Sequence, residues 1–591
     1  MRGAMLTPDN MMLEIGAVML IAFIGATIAS KLKQSVILGY IIVGIIIGPH
    51  IHLQLGPLTY NGIIKDTTMI DFLSYLGLIL LMFFIGLEFS FSKVRKTKSS
   101  AAIIAMFNLG INMFTGIMLG TAMGWPIIDT VFLAGIISMS SSAVAMKSII
   151  ELKRLANPET EFLIGISVTE SFLSMVLLTI IAGLMIKDGT EPVNLTSLAI
   201  GIIVFYVFFV FLALWVIPKT IHHLRRIKND EMFVLFALGI VFLAAAFAEI
   251  SGVPAIIGAF FIGMVFAETK VSERFEEKIV PFRDAFVAVF FVSFGMLIDP
   301  LMFVDIWWLI VAAVALVILN DFILTAALAY LLGFSSKASV SIGSALCGRD
   351  AESVMFASVG SRAFGATKGA ILYPFAGALC FVTSAITPFL MRNSLKFAGK
   401  LSSKLPAYVK YGGAVISRTL AKLVMPSTLP IRQKSKGIGI LLFVYFLFLC
   451  ATAVTTSYAH ILMFSIGILL TIILHFAFSS EIARIVRSTN YSNLNLSQRD
   501  NRVTTRFVSS FLSGGLIAMI LAAFLYPYYW PLTLIALFAY LVWIIITMKR
   551  FYRPVSSRPV AISGLVADDE FPSFGCGIEN KNAAKITSRD K

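Results

Sequence analysis

Charged residues are scarce in this sequence. Asp, Glu, Lys and Arg make up 13% of the 591 residues, whereas hydrophobic residues make up 58%. A soluble globular domain has about a quarter charged residues, so that class is excluded. Continuous apolar runs of about 20 residues recur along the chain, long enough to cross a bilayer core about 30 Å thick. The sequence predicts an all-α polytopic membrane protein, because a β-barrel would need short alternating segments instead.

Cysteine and histidine are few and dispersed. The four cysteines, Cys347, Cys380, Cys450 and Cys576, have neither the spacing of a disulfide framework nor that of a metal site, and the six histidines form no ligand constellation. No nucleophile–base pair is visible either, so we expect neither an enzyme nor a cofactor. The first apolar run passes directly into a spanning segment, which argues against a cleavable signal peptide.

The chain has an excess of basic residues, with 47 Lys and Arg against 32 Asp and Glu. These residues follow the loops. Loops such as "KVRKTK" and "KTIHHLRRIK" alternate with weakly charged loops such as "GWPIID" and "KDGTEP". The positive-inside rule accounts for this alternation without a nucleic-acid partner. It predicts a multi-pass protein of the cell membrane, with the N-terminus outside and the C-terminus in the cytoplasm.

The apolar segments form a block of 13 and a block of four. Their predicted bounds are 11–30, 35–48, 71–90, 101–122, 129–150, 161–186, 196–218, 231–250, 253–267, 284–299, 306–333, 338–361, 369–391, 437–456, 460–478, 507–526 and 530–548. The predicted domains are a 13-helix membrane domain, a basic connector on the inner membrane surface, a four-helix membrane block and a cytoplasmic tail, at 1–391, 392–436, 437–548 and 549–591. The four-helix block shows no convincing buried charge, which favours a packing, oligomerisation or docking role.

Four segments of the first block carry polar clusters. A charge at the centre of a spanning helix costs about 2.5–3.5 kcal/mol on insertion scales, and such residues usually line a site or a pathway. The clusters comprise Ser138, Ser140, Ser141, Ser142 and Lys147 in segment 5, Thr169, Glu170, Ser171 and Ser174 in segment 6, Asn320 and Asp321 in segment 11, and Arg349, Asp350 and Glu352 in segment 12. Two structural roles stay open beside a functional one: serines also suit close helix packing, and a lone carboxylate also suits a structural ion pair.

The positions of the clusters are related by a shift of six segments. Segments 5 and 6 correspond to segments 11 and 12, which predicts two inverted halves made of segments 1–6 and 8–13. Such repeats place an ion site near the midplane, between interrupted helices whose ends supply partial charges. The serine run of segment 5 and "CGRDAES" in segment 12 are the predicted breaks.

Several stretches resemble one family. "ILGYIIVGIIIGPH", "LMFFIGLEFS", "SSSAVAMKSIIE", "GVPAIIGAFFIGMVFAET" and "PFRDAFVAVFFVSFGMLIDP" follow one another as they do in the cation–proton antiporter superfamily, on its Kef-type branch. The resemblance covers about residues 11–391. It does not extend to the soluble nucleotide-binding domain of many Kef-type proteins, because no Gly-x-Gly-x-x-Gly turn within a βαβ unit follows.

The resemblance implies a panel domain of segments 1–3 and 8–10, which forms a homodimer contact within the lipid bilayer. It also implies a core domain of segments 4–6 and 11–13, with broken helices 5 and 12. The core would move against the panel in alternating access. A carboxylate on segment 6 would hold either H⁺ or one Na⁺ or K⁺ ion, and this competition would couple the two fluxes.

The sequence departs from the family at the site itself. Family members commonly have two acids, Gln-Asp or Asn-Asp on segment 6, and an ungapped alignment puts Glu170 first and Ser171 second. The usual lysine of segment 11 is replaced by Asn320-Asp321, and "GRDAES" replaces Gly-Arg-Gly-Glu. The predicted ion-binding and proton-carrying residues are Glu170, Ser171 and Thr169, and those of the breaks and their support are Ser140, Ser141, Ser142, Asn320, Asp321, Arg349, Asp350 and Glu352. Arg349 is expected to pair with one acid, since an unpaired arginine at that depth is costly. The alternative function is an exchange-inactive, channel-like or sensor-like member of the same fold, if every acid is locked in a pair.

Overall fold

The computed structural model describes most of both predicted blocks. Segment 7, segment 14 and the tail beyond Ser556 lie almost wholly outside the described residues. The described ranges are 8–31, 36–51, 53–55, 58–60, 62–64, 67–88, 99–154, 157–184, 211, 219, 229–250, 254–269, 272–361, 363, 366–424, 444–445, 458–488, 501–525 and 530–556.

The described chain is almost entirely helical, and it divides into two compact units. One comprises Met1–Ala326 and Ser341–Ser394, the other Ala327–Val340 and Leu395–Lys591. The helices are α1 Pro8–Lys31, α2 Val36–Ile47, α3 Thr67–Glu88, α4 Ser99–Ala122, α5 Ile127–Ser138, α6 Ser142–Glu151, α7 Pro158–Leu184, α8 Asp230–Ile250, α9 Ala255–Ala267, α10 Ser272–Met296, α11 Met302–Val317, α12 Ala326–Leu331, α13 Ser336–Leu346, α14 Ala351–Ser361, α15 Gly369–Lys404, α16 Ala407–Val424, α17 Tyr458–Ser488, α18 Asn501–Leu525 and α19 Trp530–Ser556. A π-helix, Ile318–Thr325, joins α11 to α12.

The lengths and composition of these helices fit a membrane protein. Among the described residues, 10 helical stretches are long and apolar enough to span a bilayer. This agrees with the predicted polytopic all-α class. Within the described part of the chain, one exception to the all-α prediction is a short antiparallel hairpin of β1 Leu53–Leu55 and β2 Leu58–Tyr60, in which Leu53 faces Tyr60.

The helices of the first unit pack in two sets. Helices α1, α2, α3, α8, α9 and α10 pack on one another, and α4, α5, α6, α7, α11, α14 and the π-helix also pack on one another. The first set consists of the helices expected in the panel and the second of helices expected in the core. The panel and core roles themselves stay predictions.

Glycines allow the close approach of α2 and α10. A Cβ at Gly44 would meet the backbone carbonyl of Val292 and the Cα of Gly295, and a Cβ at Gly295 would meet the carbonyl of Ile41. Small residues at such a contact let two helix backbones touch, which is the main source of packing energy between helices in lipid.

We expect Gly44→Ala to destabilise the protein by about 1–3 kcal/mol, because the added methyl group must push α2 and α10 apart. Thermal unfolding in detergent measures this effect as a lower midpoint. Gly16→Ala on α1 is the matched control, since a Cβ there meets no atom within 4 Å. Equal midpoints for the two variants would contradict the prediction.

Both predicted helix breaks are confirmed. The helix of segment 5 ends at Ser138 and resumes at Ser142, and that of segment 12 ends at Leu346 and resumes at Ala351. Both breaks fall on the polar stretches chosen from the sequence. A membrane helix tolerates such an interruption only where the freed backbone groups find partners inside the protein.

Several helices extend beyond their apolar segments. Helix α10 begins at Ser272, well before residue 284, and α15 continues to Lys404 through the start of the basic connector. Apolar windows underestimate such helices because a helix satisfies its own backbone hydrogen bonds outside the bilayer as well.

The second unit has a core of its own. Tyr411, Val415 and Ile416 on α16 are buried together with residues of α17, α18 and α19. The described part of the connector is thus helical and has a buried face, and its location on the inner membrane surface stays a prediction. The expectation that the C-terminal block has no buried charge was wrong: Glu481 is 1% exposed. Its Oε1 accepts a hydrogen bond from Arg484 at 3.0 Å, one turn along the same helix.

Candidate functional site

The two helix breaks contact each other in the first unit. The backbone N–H of Ser141, in the first break, donates to the carbonyl of Gly348 in the second at 2.8 Å. The Ser141 hydroxyl donates to Oδ2 of Asp350 and also caps the first turn of α6. The ends of four half-helices, α5, α6, α13 and α14, therefore meet at one place.

Glu170 lies beside this meeting point. It is carried by α7 and is 1% exposed. Its Oε1 accepts from the side-chain amide of Asn108 at 3.2 Å and from the backbone N–H of Ser140 at 3.4 Å. Its Oε2 accepts from the Ser140 hydroxyl at 2.5 Å. All these donors are neutral, so none of these bonds requires the carboxyl group to keep its charge.

Arg349 and Asp321 form a buried ion pair. Nη2 of Arg349 lies 2.9 Å from Oδ2 of Asp321, and both side chains are 0% exposed. The expectation that Arg349 pairs with an acid is thus confirmed. Removing one partner of such a pair leaves the charge of the other residue buried without its counter-ion.

Arg349 also binds the C-terminal ends of two half-helices. Its Nε donates to the carbonyl of Ile137 at 2.6 Å, at the end of α5. Its Nη1 donates to the carbonyl of Leu346 at 2.7 Å, the last residue of α13. Helix C-termini carry partial negative charge, so the guanidinium neutralises both ends as well as Asp321. The positive N-terminal ends of α6 and α14 directly follow Ser141 and Asp350, respectively.

Two asparagines that the sequence analysis missed connect Glu170 to the ion pair. Asn108 on α4 donates to Glu170 and accepts from the Thr325 hydroxyl at 2.8 Å. Asn112, one turn further, donates to Oδ1 of Asp321 at 2.6 Å. Both asparagines are 0% exposed. The signal that marks them in the sequence is their spacing of four in "FNLGINMF", which puts two amides on one face of an apolar helix.

The remaining predicted residues are only partly gathered here. Ser171 donates to Oε1 of buried Glu352 at 2.5 Å, which links α7 to the first turn of α14. Thr169 is buried, but its hydroxyl bonds the carbonyl of Gly165 within its own helix. Ser142 is exposed at the start of α6. The structure therefore brings together Ser140, Ser141, Glu170, Ser171, Asn320, Asp321, Arg349, Asp350 and Glu352, whereas Thr169 and Ser142 point elsewhere.

Each acid of the site has its own hydrogen-bond partner. Across the described ranges, no group of three or more His, Cys, Asp and Glu side chains lies close enough to hold a metal ion. What the site offers instead is single carboxyl groups, each beside serine hydroxyls, asparagine amides or Arg349. Such an arrangement suits one proton or one weakly held monovalent ion at a time.

A comparison with known protein families identifies the family to which this chain belongs. The family model described as "Sodium/hydrogen exchanger, transmembrane" matches residues 19–392, which include both breaks, Glu170 and Arg349. The chain belongs to the sodium/hydrogen exchanger family. The matched range ends shortly after the predicted 13th segment, so the C-terminal block of this exchanger lies beyond it.

Relatives of this exchanger are named as potassium/proton and as sodium/proton antiporters. The K(+)/H(+) antiporter subunit KhtU of Bacillus subtilis is 35% identical over 387 residues, which are 65% of this chain and 94% of that protein. The Na(+)/H(+)-K(+) antiporter GerN of Bacillus cereus is 28% identical over 383 residues, 64% of this chain and 95% of that protein. Among solved structures, the sodium proton antiporter MjNhaP1 of Methanocaldococcus jannaschii is similar with a TM-score of 0.46 and 16% identity, over 67% of this chain and 99% of that one.

Proposed function

We propose that this protein is a secondary transporter that exchanges protons for Na⁺ or K⁺ by alternating access, with Glu170 as the group that both ions share. The observation that carries the proposal is the setting of Glu170. It is buried where the two helix breaks meet, and it is held by the neutral donors Asn108 and Ser140. The names of the relatives, a K(+)/H(+) antiporter subunit and a Na(+)/H(+)-K(+) antiporter, support the same two fluxes.

The geometry suggests how one carboxyl group can serve both ions. Oε1 faces two N–H donors, which can only donate, so a proton on Glu170 belongs on Oε2. The Ser140 hydroxyl at Oε2 donates to the carboxylate and accepts from the carboxylic acid after rotation. Either H⁺ or a monovalent cation neutralises the buried carboxylate, and holding both would leave a positive charge in a buried site. Mutual exclusion couples the fluxes.

The Asp321–Arg349 pair favours this function over the exchange-inactive alternative. Arg349 forms its ion pair with Asp321 and donates hydrogen bonds to helix-end carbonyls, rather than to Glu170. Asp321 thereby serves as the fixed partner of the arginine, and Glu170 is left to exchange its ion. We further propose that the protein lies in the cell membrane with its N-terminus outside, and that it dimerises through α1–α3 and α8–α10. We propose no enzymatic activity for it.

Exchange is tested directly in liposomes that contain the purified protein and a pH-sensitive dye. After an acid-inside pH gradient is set, addition of NaCl or KCl is expected to dissipate it, whereas choline chloride, which supplies the same anion without an alkali cation, is not. Protein-free liposomes are the control for leakage. The absence of a response to Na⁺, K⁺ and Li⁺ at every pH between about 6 and 9 would exclude the proposed exchange.

A further inference from the structure

Oδ1 of Asn320 is one of several buried side-chain oxygens of the described residues for which the structure shows no hydrogen-bond partner. The side chain of Asn320 is 0% exposed, and its Oδ1 is buried without a partner among the described residues. A buried amide oxygen with no donor costs about 1–3 kcal/mol. Native proteins keep such an atom rarely, and often where a ligand supplies the missing contact.

The orientation of the Asn320 amide is fixed by its neighbours. Asn112 must turn its nitrogen toward the Asp321 carboxylate, which only accepts. Its oxygen is therefore left to accept from Nδ2 of Asn320 at 3.1 Å. The same Nδ2 donates at 2.7 Å to the hydroxyl of Thr115, whose own proton goes to the carbonyl of Ile111. If the Asn320 amide were flipped, its oxygen would face the oxygen of Asn112. Oδ1 is therefore the amide atom that points away from Asn112.

The π-helix Ile318–Thr325 puts Asn320 and Thr325 on the same helix face. In an α-helix, residues 320 and 325 would lie about 140° apart around the axis. With i→i+5 bonding they share a face, and Asn320, Asp321 and Thr325 are all 0% exposed. All three side chains contact residues of α4. π-helical turns are frequent at functional sites, because they redirect side chains in this way.

Asn320 lies at a different level of the core from Glu170. Glu170 contacts α4 at Asn108, whereas Asn320 contacts it at Asn112 and Thr115. Seven residues of α-helix rise about 10 Å, so the two levels are separated by up to that distance. Under the proposed topology, the level of Asn320 lies on the outer side of Glu170, toward the Ala122 end of α4.

We propose that Asn320 is a ligand of the transported cation, at a second cation-binding position on the outer side of Glu170. Its Oδ1 would replace one water of a Na⁺ or K⁺ ion. Neutral amide, hydroxyl and carbonyl oxygens are the ligands with which proteins dehydrate such ions. The proposal rests on the exchange function and adds a residue that sets affinity and ion preference, separate from the carboxyl group that carries the proton.

Two near-isosteric variants separate an oxygen ligand from a structural amide. Asn320→Leu and Asn320→Asp both remove the Nδ2 donor, but only Asn320→Asp keeps an oxygen at the Oδ1 position. We expect Asn320→Leu to raise the KM for the cation about fivefold or more, which is the loss of roughly one neutral polar contact. We expect Asn320→Asp to leave the KM for the cation no higher than in the wild type, because its carboxylate keeps an oxygen at that position and adds a negative charge, and the Na⁺/K⁺ preference to change in both variants.

The KM values are measured in the liposome assay, and equilibrium binding of radioactive Na⁺ or Rb⁺ in detergent covers a variant that binds but does not transport. An equal rise in KM in both variants would assign Asn320 a structural donor role and overturn the proposal. Unchanged KM and ion preference in Asn320→Leu would overturn it as well, since a water would then satisfy Oδ1. If wild-type protein shows no exchange at all, the proposed function fails instead.

Discussion

Glu170→Gln is expected to abolish cation-driven proton exchange, because the variant has no titratable group at the position where H⁺ and the cation compete. Glutamine has nearly the same shape and keeps an oxygen that accepts from Asn108 or Ser140. It can neither bind a proton nor neutralise a cation. The variant should therefore fold and insert as the wild type does, but it should show no dye response to Na⁺ or K⁺.

Matched controls make the Glu170 result specific. Glu481→Gln removes another buried acid, in the second unit, and is expected to keep wild-type exchange. Glu170→Asp keeps the charge but withdraws it by one methylene, so it is expected to retain part of the exchange with a higher KM for the cation. Full exchange in Glu170→Gln would contradict the prediction and move the shared ion site to Asp350 or Glu352.

Loss of Arg349 is expected to have the largest effect on folding. In Arg349→Met, Asp321 keeps a buried charge without its partner, and the carbonyls of Ile137 and Leu346 lose their donor. Breaking a buried ion pair from one side costs about 3–5 kcal/mol, a large share of the stability of a typical protein. We expect little folded protein from this variant, measured by size-exclusion chromatography of detergent extracts.

The acid side of the pair should be less sensitive. Asp321→Asn removes the charge partner but leaves Arg349 its bonds to the two helix ends, so we expect a smaller fall in the unfolding midpoint than for Arg349→Met. The double variant Asp321→Asn/Arg349→Met has no unpaired charge, and it should recover part of the loss seen with Arg349→Met alone. A double variant no more stable than Arg349→Met would show that the helix-end bonds, rather than the ion pair, dominate.

Polar interruptions of apolar segments were the most informative part of the sequence. "SMSSSAV" and "CGRDAES" marked the two breaks because a membrane helix rarely contains such clusters unless the protein itself satisfies them. The need of Arg349 for an acid followed from the same cost. Asn108 and Asn112 were not predicted as site residues, because asparagine carries no charge and two amides hardly alter the hydropathy of α4. Glu481 escaped because it lies at the polar end of its segment, where hydropathy suggests contact with water.

Composition and order alone determined that this protein is helical, that it crosses a membrane many times, and where two of its helices are interrupted. These features depend on the solvent and on neighbouring residues, so they can be read locally. Only the tertiary structure decided which acid pairs with Arg349. Glu170, Asp321, Asp350 and Glu352 were all available in sequence, and the choice depends on contacts such as that of Asn112 with Asp321, 209 residues away. In the structure, Arg349 pairs with Asp321. Glu170 instead contacts neutral hydrogen-bond donors, which are compatible with both the ionised and the protonated carboxyl group.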